Sequence, residues 1–333
     1  MEMDKTRLRH AFALSATALA LFAVSAAMAQ APTRNFPIKP VRIVIGLPPG
    51  ASIDTLARGV SQELSKIWNS PVVVENRVGA GDVLAATVAA KAAPDGYTIL
   101  FSTSTNMNTS RFLRRNLPYD PGKDLVPVVG LAQTQALFVA SNKVPATTVR
   151  ELVALARAKP GALNYGSWGV ASAGHLDGEA FGRVSGALFT HVPYKGGAQV
   201  MLALVAGEVD FAFSGLTPAI PLVKQAKIKA LAYTGPQRLG VLPQVPTLAE
   251  TGFNLKSVGL YSLYAPAGTP KAVIDRIAAD TIQVCGTAAF REKFIYANGM
   301  EEFPLQSAAL AARLQESTEE FASRVKGLDI QLN

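Results

Sequence analysis

A single cysteine, three histidines and a thin supply of charge are the first limits on this chain of 333 residues. Cys285 has no second cysteine to pair with, so no intrachain disulfide forms, and its Ile/Val/Ala surroundings read as core. Charged residues make up 17%, under the usual quarter, while hydrophobic residues reach 49%, which excludes disorder. The formal charge of +8 is scattered without a dense basic run, so nucleic acid is not an expected partner. His-Glu-x-x-His and His-x-His spacings are absent, and no metal site follows. There is no Gly-x-Ser-x-Gly elbow, since Gly166-Ser-Trp-Gly169 has the wrong spacing. Gly79-Ala-Gly-Asp82 lacks the last glycine of a dinucleotide fingerprint, so no cofactor is expected.

What is present begins with an exported N-terminus. Lys5, Arg7 and Arg9 precede an apolar run over 11–27, and Ala27-Met-Ala29 is a small-x-small site. This pattern predicts a cleaved signal peptide over 1–30 and a periplasmic location. No cysteine lies near the site, so no lipid anchor is expected. No second apolar run of spanning length follows.

The organising stretch is 41–58. It reads as a buried strand over 41–47, a tight turn, and a helix with apolar residues at Ile53, Leu56, Ala57, Val60, Leu64, Ile67 and Trp68. The turn places helix-start N–H groups at a strand end, a setting that suits an anion. Strand–helix units recur over 71–93, 97–101, 163–185, 189–206, 209–226 and 228–233, with a strand at 260–264 and helices at 272–285, 289–297 and 305–325. The segment 125–140 reads as two short strands or one broken one, and 102–110 as a polar loop. The alternation predicts an α/β chain with parallel sheets.

In open parallel sheets ligands gather beyond the carboxyl ends of the strands. Three polar turns occupy such places, at 47–54, 102–110 and 166–175. An acid, Asp54, sits within the first. It either caps its helix, pairs with Arg58, or meets a ligand ammonium. His175 opens a helix and is a capping or ligand residue. A Ser167–His175–Asp210 triad is the residual enzymatic alternative.

These residues resemble the Bug-type extracytoplasmic receptors of tripartite tricarboxylate transporters. The resemblance is carried by 36–45, by Pro48-Pro-Gly-Ala-Ser-Ile-Asp54 with Ala57-Arg58, and by Val74-Glu-Asn-Arg77 with Gly79-Ala-Gly81. It continues through Gly166-Ser167 with Gly174-His-Leu176, His191-Val-Pro-Tyr-Lys-Gly196, Gly207-Glu-Val-Asp210, 245–250 and 265–270. Ala51 departs from a usual glycine, and Asn106 stands where histidine is common. The resemblance implies a type II-like periplasmic-binding-protein fold. Its two α/β domains, each a mostly parallel sheet flanked by helices, would span 32–130 plus 252–333 and 131–251, with a ligand cleft between them. It implies a non-enzymatic monomer that binds a small carboxylate (a di- or tricarboxylate, aromatic acid or acidic amino acid) and delivers it to large and small membrane subunits. A receptor for a two-component sensor is the alternative reading. The implied contacts are Pro49, Gly50, Ala51 and Ser52, then Ser167, Ala171, Ser172 and His175. Asp54, Ser102, Ser104, Asn106 and Asp210 complete the expected site.

Overall fold

A computed structural model describes residues 36–79, 82–255 and 258–326. The expected signal peptide lies outside the described residues. From Pro40 the elements belong to one compact unit that holds two β-sheets.

The first three strands are β1 (Val41–Ile45), β2 (Val72–Asn76) and β3 (Thr98–Thr103). They are parallel, with β1 in the middle. Helices α1 (Ser52–Trp68) and α2 (Val83–Ala90) join them. The apolar stripe read from the sequence is the buried face of α1, except that Ile67 is exposed. The helix stops where Asn69 turns left-handed ahead of Pro71.

The segment expected to be a polar loop contains a helix, α3 (Ser104–Leu113). Thr103 starts it by accepting the Asn106 N–H at 3.2 Å. Its polar face is buried, and Asn108 bonds the Ser317 carbonyl and the Thr318 hydroxyl.

The segment 125–140 is two strands in two sheets. β4 (Leu125–Thr134) belongs to the first sheet and β5 (Leu137–Ser141) to the second. The crossing therefore falls at 135–136, a few residues past the expected boundary at 130. Helix α4 (Val149–Ala158) opens with a Thr148–Glu151 capping box. It is followed by β6 (Asn164–Ser167), α5 (Ala173–Ser185), β7 (Thr190–Pro193), α6 (Gly197–Ala206), β8 (Phe211–Ser214), α7 (Leu216–Lys224) and β9 (Ile228–Tyr233). The chain then returns through β10 (Gly259–Pro266), α8 (Lys271–Cys285), short helical turns over 288–298, β11 (Glu301–Glu302) and α9 (Ser307–Val325).

The strand orders are β11-β4-β10-β3-β1-β2 and β7-β6-β8-β5-β9. Both sheets are mixed. β10 runs antiparallel to β3 and β4, and β5 runs antiparallel to β8 and β9. Each is the strand by which the chain enters that sheet from the other, which is why the expectation of mostly parallel pairing needs this correction.

The second sheet is covered on both faces. Phe138 is the centre of one, with Phe213, Phe181 and Phe211 rings at 4.4, 4.8 and 5.4 Å. Aromatic groups at these separations add to simple area burial. Phe138 is 0% exposed, so Phe138→Ala is expected to cost about 3–5 kcal/mol of stability, read as a lowered urea midpoint.

Candidate functional site

Residues 46–51 join β1 to α1. Pro48 and Pro49 stiffen the loop, and Gly50 turns the chain at φ +84°, a left-handed angle that glycine adopts without strain. Ala51 is the N-cap and has no side-chain oxygen to offer the helix. The first amides of α1 are thus left uncapped by any side chain, at the positive end of the helix dipole. The other two expected turns differ. Thr103 caps α3, and Ser172 caps α5 by accepting the His175 N–H at 3.4 Å. Pro49 and Gly50 are exposed, with Ala51 and Ser52 partly so.

Asp54 is 3% exposed, and both its oxygens are occupied. Oδ2 accepts the Gly50 N–H and Arg58 Nε–H, both at 3.0 Å. Oδ1 accepts Arg58 Nη2 at 3.0 Å and Asn76 Nδ2 at 2.9 Å. Burial pushes the Asp54 carboxyl up, but Arg58, the Gly50 amide and Asn76 together hold it below the usual carboxylate range. Asp54 therefore fastens the loop, in place of the expected ligand contact.

The second turn, 168–172, uses two left-handed residues, Gly169 and Ala171. Ala171 N–H donates to His175 Nδ1 at 2.9 Å, which assigns the proton of that ring to Nε2. The His175 ring stacks on His191, 3.8 Å away and 8° from parallel, and the Tyr165 ring lies 4.9 Å from His191 and 6.4 Å from His175. Ser167 is 0% exposed. Its Oγ accepts the Gly169 N–H at 3.2 Å and lies 2.7 Å from His191 Nε2. Ser167 and His175 thus support the turn from behind, and the Ala171 amide is already used.

The alternative Ser167–His175–Asp210 triad is not assembled. His175 faces Ala171, and the imidazole beside Ser167 is His191. Asp210 bonds the Asn164 N–H at 2.7 Å, at the amino ends of β6 and β8, opposite the end that carries Ser167. Its expected place at the cleft edge is corrected accordingly. Ser104 is also internal, accepting the Leu260 N–H at 3.2 Å. Ser102 donates to the carboxylate of Asp82 and is fully buried. Asn106 is partly exposed beside it.

Two further residues belong to this region. Thr217 opens α7 behind Gly215, another N-cap without a side-chain bond. Its hydroxyl lies 3.1 Å from that of Ser52, so a helix start of the second sheet meets a helix start of the first. The order strand, Ser214-Gly-Leu-Thr217, helix marks a fourth polar turn that sequence reasoning passed over. The second residue is Asp82, 2% exposed, whose carboxyl burial pushes up to about 6, with Ser102, Asn106 and the Gly46 amide offsetting part of that.

Burial pushes the His175 and His191 imidazoles down to about 4, and His175 adds to the effect on its neighbour. Their folded values lie below the usual 6.5, so the unfolded chain takes up more protons as pH falls. This stability is present above about pH 6.5 and is lost towards pH 4. Asp82, with a raised folded value, acts in the opposite direction over part of that window. His175→Asn and His191→Gln are each expected to flatten the fall of the urea midpoint between pH 6.5 and 4.5, whatever they cost at pH 7.5.

Known proteins resemble this chain over most of its length. Residues 56–329 match the tripartite tricarboxylate transporter family receptor. A UPF0065 protein encoded in the gbd 5' region of Cupriavidus necator is 37% identical over 264 residues, covering 79% of this chain and 79% of that protein. Protein BugT of Bordetella pertussis is 31% identical over 243 residues, 72% of this chain and 74% of BugT. Among solved structures, R. palustris Rpa4515 with adipate superposes with a TM-score of 0.81 at 29% identity, covering 87% of this chain and 97% of that one. MatC from Rhodopseudomonas palustris with bound malate gives 0.77 at 28%, covering 87% and 100%. The chain belongs to the tripartite tricarboxylate transporter receptor family.

Proposed function

We propose that this receptor captures a small carboxylate between its two sheets and presents it to the membrane subunits of a tripartite transporter. The observation that carries the reading is the uncapped start of α1, set at the carboxyl end of β1 and met across the cleft by the start of α7 through Ser52 and Thr217. A carboxylate placed there accepts peptide N–H groups and hydroxyls, and no lysine or arginine is needed to hold it. The adipate- and malate-bound relatives support this ligand class. The ligand-facing set is then Pro49, Gly50, Ala51, Ser52, Ser172, Asn106 and Thr217, with Asp54, Ser102, Ser104, Ser167, Ala171 and His175 shaping it.

We assign one lobe to 32–130 with 252–333 and the other to 131–251, the first crossing being moved to 135–136. Closure of the lobes follows from contacts that a ligand makes with both. The working site is the periplasm, and the receptor acts as a monomer with the large and small membrane subunits as partners.

Thermal unfolding against mono-, di- and tricarboxylates and amino acids tests the ligand class. A ligand at 100 times its Kd adds about 2.7 kcal/mol, which raises the midpoint by about 5 °C. Failure of every acid to move the midpoint overturns the reading. A Cβ on Gly50 meets nothing within 4 Å, so a side chain there projects into open space. Gly50→Val is expected to weaken binding more than tenfold while the protein still unfolds cooperatively, at a strain cost of about 1–3 kcal/mol. Thr217→Val, which keeps the shape and removes the hydroxyl, is expected to weaken binding by about fivefold to tenfold, roughly the worth of one hydrogen bond.

A further inference from the structure

Two buried acids lie at the carboxyl end of the first sheet, and they are not equivalent. Asp54 is neutralised by the two-pronged Arg58 contact. Asp82 has no such partner. None of the ion pairs among the described residues includes it, and no lysine or arginine is among the groups that act on its carboxyl.

Asp82 precedes α2 at φ +83°, in the left-handed region, and does not cap its own helix. Its carboxylate turns towards the sheet instead. Oδ2 accepts the Ser102 hydroxyl, and Oδ1 is buried without a hydrogen-bonding partner. A Cβ added to Gly46 would fall 1.9 Å from that Oδ1 and 2.5 Å from the Asp82 Cα. The acid is therefore packed against the first residue of the 46–51 loop. Its other neighbour, Ser102, leads directly into the turn that carries Asn106. A negative charge so placed, with hydrogen-bond donors but no cation beside it, acts on a ligand held between the 46–51 loop and the start of α3, because burial weakens solvent screening.

We propose that Asp82 sets the charge of the ligand, selecting a carboxylate whose far end is an ammonium or another hydrogen-bond donor and rejecting a second carboxylate. The inference rests on the carboxylate reading above and names the class of acid within it. At about 6 Å and an effective dielectric near 20, repulsion between Asp82 and a second carboxylate corresponds to about a hundredfold in affinity. An ammonium at the same place gains where the carboxylate loses.

The test is calorimetric titration at pH 7.5 with two length-matched series. One is succinate, propanoate and β-alanine; the other is adipate, pentanoate and 5-aminopentanoate. Within a series the carboxylate end is constant, and only the far group changes from anion to nothing to cation. The wild type is expected to bind the ammonium member at least tenfold more tightly than the dicarboxylate. Asp82→Asn is expected to bring the two within threefold. Asp82→Gly, which suits the left-handed backbone, serves the same purpose if the asparagine variant folds poorly. A wild type that prefers the dicarboxylate overturns the proposal. So does a preference that survives both substitutions unchanged. A wild type that binds carboxylates of both charge types equally leaves the carboxylate reading standing and removes Asp82 from it. A receptor that binds no carboxylate at all overturns both.

Discussion

The carboxylate of Asp54 is the tie on which the 46–51 loop, and with it the proposed binding face, depends. It holds the Gly50 amide, the guanidinium of Arg58 and the amide of Asn76, and that same amide holds the Leu47 carbonyl. One side chain thus fastens the turn to the helix that follows it and to the neighbouring strand β2. Charge-assisted bonds of this kind are the strong ones, and here the carboxylate is buried while the guanidinium stays half exposed. Because the loop is held from behind, the first amides of α1 can stay fixed and uncapped. A loop held only by its own backbone would collapse onto those donors or be closed by a capping side chain.

The opposite half reaches the same end by different means. Behind 168–172 stand stacked neutral rings and short hydroxyl bonds, with one carboxylate, Glu179, accepting the Tyr165 hydroxyl at 2.6 Å and lying 3.9 Å from His175 Nε2. On the function proposed above, both halves offer an anion oriented peptide dipoles and hydroxyls, with their charged groups kept behind. This arrangement suits a carrier. An anion held by a buried guanidinium leaves it uncompensated on departure, at several kcal/mol. An anion held by amides returns them to water at small cost.

Much of this was legible beforehand. The strand and helix order follows from alternation and periodicity, and α8 and β9 fall where the apolar pattern places them. The turn at 47–54 stood out as a candidate anion site because proline, glycine and a helix start coincide. The roles of the acids were harder. Arg58 lies one helical turn from Asp54 and is readable, but Asn76 reaches it from another strand. Asp210 looks like any polar residue beside a turn until strand direction shows which end it occupies. Helix α3 was hidden because its buried face is polar. Asn108 finds its partners at Ser317 and Thr318, some two hundred residues later, and only the Thr103 cap was local evidence. The stacking of His175 on His191 joins a helix to a strand and leaves no mark on spacing.

The reversed strands carry a consequence for how the chain acquires its structure. The second sheet is built from one continuous stretch, β5 to β9, and is completed by the 246–255 segment that follows it. The first sheet cannot be finished until β10 slides between β3 and β4. Its contact at Leu260 closes on Ser104, 156 residues earlier. As the chain is made from its N-terminus, the middle segment can therefore fold while the earlier strands wait with open edges. Those edges are sites for unwanted pairing until β10 arrives. The fold is thus assembled from the inside of the sequence outward, and its first-made strands are completed only near the end.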